Sequence, residues 1–141
     1  MAKEKIRILC YGDSNTWGYN PLTKERFSKE IRWTGRLQAM LENRDINIIE
    51  DGVVLMLGTN DCKTHNNTSA EEIAGGIDKC LDIILKYVSA ENVLLISPIY
   101  LGENVWKAEY DPEFDRKSVN ISKELKEEYL KVAKRRNVHF L

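Results

Sequence analysis

Apolar residues gather along the chain in two ways, as short continuous runs and as longer stripes at helical spacing. The continuous runs fall at residues 5–11, Val53–Gly58 and Asn92–Ser97, with Ile46–Glu50 and Val138–Leu141 as two further strand candidates. Runs that do not alternate with polar residues fit strands covered by helices on both faces. Between them, Arg32–Asn43 places Trp33, Leu37, Met40 and Leu41 on one helical face. From Ser69 to Val88 the stripe is Ile73, Ile77, Leu81, Ile84 and Val88, and Ser69 with Glu72 makes a capping box. Gly75-Gly76 inside it weakens the helix by roughly 1 kcal/mol per glycine relative to alanine, a cost that close packing would explain. A third helix is expected over Asp115–Arg136, with Leu125, Tyr129 and Val132 inward and Lys/Arg on the solvated side and last turn. Residues 98–114, with Pro98 and Pro112, read as a long loop above the sheet edge.

Strands alternating with helices predict one α/β domain over residues 1–141: a doubly wound, mostly parallel sheet in three layers. One junction conflicts with that plan. Ile46–Glu50 and Val53–Gly58 are separated only by Asp51-Gly52, a strong hairpin signal. Parallel neighbours need a crossover of about a dozen residues or more. Either the sheet is mixed here, or a crossover that the architecture requires is missing near residues 52–53.

Composition narrows the function classes more than the fold. Hydrophobic residues make up 43% and charged residues 30%, which is ordinary for a globular chain and argues against disorder. The 21 basic and 22 acidic residues nearly cancel, so neither nucleic acid nor an anionic membrane surface is an expected partner. No apolar stretch approaches the ~20 residues of a membrane span. Met1–Lys5 leads straight into a strand without the features of a signal peptide. Cys10, Cys62 and Cys80 are irregularly spaced and do not read as a disulfide framework, so the cytoplasm is the expected compartment. Trp106, expected to be exposed, and the 98–114 loop leave contacts between copies of the chain open.

The chemistry-bearing residues sit where two strand runs stop. The first ends at Gly12-Asp13-Ser14, placing a hydroxyl just past the carboxyl end of a strand, where open α/β sheets hold ligands. The run from Val53 ends in Gly58-Thr59-Asn60-Asp61, delivering an amide to the same edge. Acyl transfer needs a nucleophile and donors aimed at the developing oxyanion. Ser14 can supply Oγ and its own N–H, and Asn60 its side-chain NH₂. Gly, Asp and Ser are also ordinary turn formers, so Gly12–Ser14 taken alone reads first as a plain strand-to-helix turn. A third reading is a non-catalytic domain that cradles an anion or small molecule on the backbone N–H groups of that turn. Of the two histidines, His65 lies in the polar loop Thr64–Thr68 and His139 on the last strand, and solvent exposure or packing accounts for either. Cys62-Lys63-Thr64-His65 has a Cys-x-x-His spacing without a partner pair, so no metal and no cofactor are expected.

Gly12-Asp13-Ser14 together with Gly58-Thr59-Asn60-Asp61 resembles the first and third signature blocks of the SGNH (GDSL-type) esterases and lipases. The likeness is stronger to the arylesterase and acyltransferase branch, through Thr16-Trp17-Gly18, Arg26-Phe27, Arg32-Trp33-Thr34-Gly35, Met56–Lys63 and Ser97-Pro98. The resemblance implies a flavodoxin-like fold and a serine esterase or acyltransferase acting on small-molecule acyl esters. It makes Ser14 the nucleophile, Ser14 N–H and Asn60 the oxyanion hole, and sets Trp17, Asp13 and Thr59 at the substrate pocket. Asp13 is expected to shape its turn, Asp61 to brace its loop, and Trp17 alternatively to be a core aromatic. The family's second block contributes a glycine N–H from a loop after the second strand. Here Gly52 matches only the glycine that opens that loop. The Asp-x-x-His block that supplies the base has no counterpart in these 141 residues. That leaves a fragment, an incomplete listing or a degenerate relative, each expected to turn over little. Serine esterases stripped of a triad member keep only ~10³–10⁴-fold catalysis over water.

Overall fold

The computed structural model describes residues 7–42 and 52–141. The strand expected at Ile46–Glu50 lies outside the described residues. Among the described residues four strands, β1 (Ile8–Gly12), β2 (Gly52–Met56), β3 (Val93–Leu95) and β4 (His139–Phe140), form one sheet in the order β1-β2-β3-β4. All three pairings are parallel. Helices α1 (Ser14–Trp17), α2 (Trp33–Glu42), α3 (Ala70–Ile84) and α4 (Arg116–Arg136) alternate with them, giving the α/β parallel-sheet fold expected. Beyond the strands, Leu141 N–H donates to Leu95 O and Ser97 N–H to Leu141 O, each at 3.0 Å, so pairing runs on to the carboxyl edge.

The middle of the sheet is the core. Val53, Val54, Leu55 and Met56 are all buried, as a strand covered on both faces must be. Val53, Leu55, Val93 and Leu95 pack with Ile73, Ile77 and Leu81 of α3 and Leu125, Tyr129 and Val132 of α4. Each such side chain contributes about 1.5–3 kcal/mol of transfer free energy. β1 departs from the expectation of double coverage. Its register with β2 puts Leu9 and Tyr11 on the α3/α4 face, yet they are 60% and 55% exposed. Among the described residues β1 is an edge strand, and α3 and α4 leave these two side chains uncovered.

Gly52 belongs to a strand: it opens β2 opposite Ile8, and its N–H donates to Arg7 O at 3.1 Å as a rung of the parallel ladder. Ser69 caps α3 as expected. Its hydroxyl accepts from Glu72 N–H at 3.2 Å while the Glu72 carboxylate accepts from Ser69 N–H at 2.8 Å. The regular helix stops at Ile84, short of Val88. Asp115 caps α4 with Ser118 in the same reciprocal way. Three expectations are corrected. A Cβ at Gly75 or Gly76 would meet nothing within 4 Å, so neither glycine serves close packing. Met40 is 62% exposed, off the buried face of α2. Trp106 is half-buried. Among the described residues no helix is long and apolar enough to cross a membrane.

Candidate active site at the carboxyl edge of β1 and β2

The chain leaves β1 through Gly12 and turns at once into a single helical turn. Asp13 caps it: its carboxylate accepts from Asn15 N–H and its carbonyl from Thr16 and Trp17 N–H, each at 3.0 Å. Asp13 therefore shapes the turn. Gly18, at φ +87°, closes α1 in the left-handed conformation that glycine adopts freely, and its N–H donates to Ser14 O at 2.8 Å. Ser14 is the first residue of α1 and is exposed at the sheet edge. A Cβ at Gly12 would stand 2.8 Å from Thr16 Cβ and closer still to Thr16 Oγ1 and Met56 O. Absence of a side chain at residue 12 is what lets the serine turn close down against the end of β2.

The second loop starts where β2 ends. Gly58 takes φ +119°, another conformation reserved for glycine, and redirects the chain into a one-turn 3-10 helix, Asn60–Cys62. The Asn60 carbonyl accepts from Lys63 N–H at 3.1 Å and from the Asn66 side chain at 3.0 Å, which fixes its backbone while the residue stays exposed. Thr68 Oγ1 donates to Asp61 O at 2.7 Å, bracing the far side of the loop. Asn15 Nδ2 lies 3.4 Å from Thr59 Oγ1, and this contact ties the serine turn to the asparagine loop. Ser14 and Asn60 are the sequence neighbours of the two tied residues.

Trp17 is 47% exposed, so it is not a core aromatic. The Arg26 guanidinium lies 5.4 Å from its ring centroid and donates through Nε to Trp17 O at 2.7 Å. That stack holds the indole beside the serine turn by a cation–π contact. Lys63 joins the loop to residues 111–114: its ammonium pairs with Glu113, lies 3.7 Å from Asp111 and sits 5.6 Å from the Phe114 ring centroid. Hydrogen bonding to Glu113, above all, holds the Lys63 ammonium more firmly protonated than a free lysine.

Cys62 is buried and donates toward Gly58 O at 3.4 Å. Burial, with the neighbouring Asp61 charge, pushes its thiol up to about 11, so it does not compete as a nucleophile. Neither histidine is engaged with Ser14. His139 Nε2 lies 2.9 Å from Glu91 O, toward the amino end of β3 and away from the serine edge. His65 is exposed in the 3-10 turn Thr64–Asn66. Among the described residues no group of three or more His, Cys, Asp or Glu side chains could hold a metal ion.

The structure thus brings Ser14, Asp13, Trp17, Thr59 and Asn60 to one edge. It adds Asn15 and Arg26, which the sequence reading passed over as parts of a motif. It also adds Tyr129, read there as a core residue, whose hydroxyl donates to Leu57 O at 3.0 Å.

No family model and no curated protein matches the chain. Solved structures do. Est24, a carbohydrate acetylesterase from Sinorhizobium meliloti, is 25% identical over 97% of this chain and 83% of its own, with a TM-score of 0.76. The native M. smegmatis aryl esterase is 26% identical over 97% and 83% of the two chains, at 0.73. AlinE4, an SGNH-hydrolase family esterase, shares the fold at 15% identity over 99% and 77%, with a TM-score of 0.64.

Proposed function

We propose that the chain is a serine ester hydrolase of the SGNH (GDSL-type) kind, acting on small acyl esters through Ser14. The observation that carries this reading is the Asn15–Thr59 contact, which joins the loops of the nucleophile and of the amide donor at one sheet edge. In the proposed step Ser14 Oγ attacks the ester carbonyl and its proton passes to a base. The carbonyl oxygen, now negative, takes hydrogen bonds from Ser14 N–H and the Asn60 amide. Collapse of the adduct expels the alcohol, which regains a proton. Water then releases the acid from the acyl-serine, and an alcohol in place of water would give acyl transfer. Trp17, steadied by Arg26, borders the acyl group.

The base is supplied by neither histidine. His139 is turned to Glu91 O, and His65 is exposed in its own loop. We therefore expect this chain to hydrolyse phenyl acetate slowly, with a rate that climbs when imidazole is added to stand in for the base. That increment should vanish in Ser14→Ala, which also serves as the blank for hydrolysis by imidazole itself. Equal rates for Ser14→Ala and the parent, with and without imidazole, would remove the proposal.

A further inference from the structure

Tyr129 is 0% exposed in the middle of α4, which makes it one of the largest fully buried side chains of the core. A phenol in that position needs a partner for its hydroxyl. Its partner is the carbonyl of Leu57, 72 residues earlier in the chain, at 3.0 Å. The same hydroxyl is packed against Gly58, so that any Cβ at residue 58 would run into it, with Ile73 Cγ2 and Pro98 Cγ each 3.4 Å away. Leu57-Gly58 is the point where β2 ends and the loop bearing Thr59 and Asn60 begins. Asn66 and Thr68 hold the far end of the loop, at Asn60 O and Asp61 O, but the other side-chain ties at its root, Gly58 and Thr59, are weaker. Cys62 offers a thiol, a poor donor, to Gly58 O at 3.4 Å, and the Asn15–Thr59 contact is also 3.4 Å long.

We propose that Tyr129 is a positioning residue for the ester-hydrolase reaction: its buried hydroxyl fixes the root of the Leu57–Asp61 loop and thereby the place of the Asn60 amide at the oxyanion. The inference rests on the reading of Asn60 as an oxyanion donor. A donor of this kind acts only if it is already in place when charge develops, and a misplacement of about 1 Å can cost ~10²-fold in rate. A neutral donor suits this work. Burial, first, and then the nearby Asp61 and Cys62 keep the phenol protonated far above the ordinary tyrosine range.

The test is Tyr129→Phe, alone and combined with Asn60→Ala, in the Ser14-dependent, imidazole-supported hydrolysis of phenyl acetate. Tyr129→Phe should lower kcat by about 10-fold or more with KM within about twofold, since the interaction acts in the transition state. Backbone ¹⁵N order parameters should fall at Gly58–Asp61 and stay unchanged in β2 and α4. In an Asn60→Ala background the same substitution should cost nothing further, because its target is gone. An unchanged kcat, additive losses, or order parameters that fall throughout the core would each overturn the proposal. Should Asn60→Ala itself leave kcat unchanged, the oxyanion assignment fails, and the order parameters still decide whether Tyr129 holds the loop. One measurement needs no variant. The Tyr129 hydroxyl proton of the parent should exchange slowly enough to be seen by NMR, and exchange at the rate of an exposed tyrosine would also overturn the proposal.

Discussion

Alanine at residue 12 should destabilise the protein, whereas the same substitution at Gly75 or Gly76 should stabilise it. Replacing glycine by alanine restricts the unfolded chain, a gain of about 0.4–1 kcal/mol wherever the native backbone and space permit. At Gly12 space does not permit. The added carbon would stand 2.8 Å from Thr16 Cβ, against a favourable carbon–carbon separation of about 3.5–4.0 Å, and closer to Thr16 Oγ1 and Met56 O. Thr16 is buried and Met56 O belongs to a paired strand, so neither yields cheaply. Overpacking of this kind costs about 1–3 kcal/mol, more than the entropic gain. With a urea slope near 2 kcal/mol/M, a net loss of about 1.3 kcal/mol would lower the midpoint by roughly 0.6 M. At Gly75 and Gly76, exposed on α3 with nothing within 4 Å of a Cβ, the helix-propensity gain of about 0.8–1 kcal/mol is unopposed. The midpoint should rise by roughly 0.5 M for each. Urea unfolding followed by circular dichroism reads all three. A Gly12→Ala protein as stable as the parent would refute the close approach of the serine turn to β2, and with it the geometry on which the candidate site depends.

Two further outcomes test the joints of the fold. Asp78 on α3 accepts from Arg136 of α4 at 2.7 and 3.0 Å and lies 3.2 Å from Arg135, and hydrogen bonding to Arg136, above all, holds its carboxyl below the usual aspartate range. A depressed carboxylate stabilises the fold above its unfolded value of about 3.9 and loses that contribution as pH falls through the lower folded value. The stability gap between parent and Asp78→Asn should therefore be full at pH 7 and close below about pH 4; a gap independent of pH in urea titrations would contradict the pairing. Gly58→Ala should destabilise by about 1–3 kcal/mol, and Tyr129→Phe should be less harmful, or helpful, in that background because the phenol oxygen no longer meets the new methyl. Strictly additive losses in a double-mutant cycle would count against that contact.

What could be read from the chain was local, and what could not was set by partners far away in sequence. The Ser69–Glu72 cap, the α4 stripe and the two strand-ending motifs each involve residues within a turn of one another, so the pattern and the cause coincide. The same logic explains the failures. Gly75-Gly76 looked like a packing device because glycine in a helix is costly, but only the third dimension says whether another element comes near, and none does. Asp51-Gly52 carries the chemistry of a tight turn, yet Gly52, the one of the pair among the described residues, is drawn into β2, with its N–H on Arg7 O in the parallel ladder. β1 has the composition of a doubly covered strand, but its place at the edge of the described sheet leaves Leu9 and Tyr11 exposed. Tyr129 is the most instructive case. As one apolar position of a helical stripe it is indistinguishable from Leu125 or Val132, and burial is all the stripe predicts. Its hydroxyl separates it from those neighbours: a buried donor must find an acceptor, and the one it meets is a carbonyl just past the end of a strand. Core packing and site geometry meet in that one hydrogen bond, so a residue whose first task is to fill the interior also decides where an amide at the surface stands.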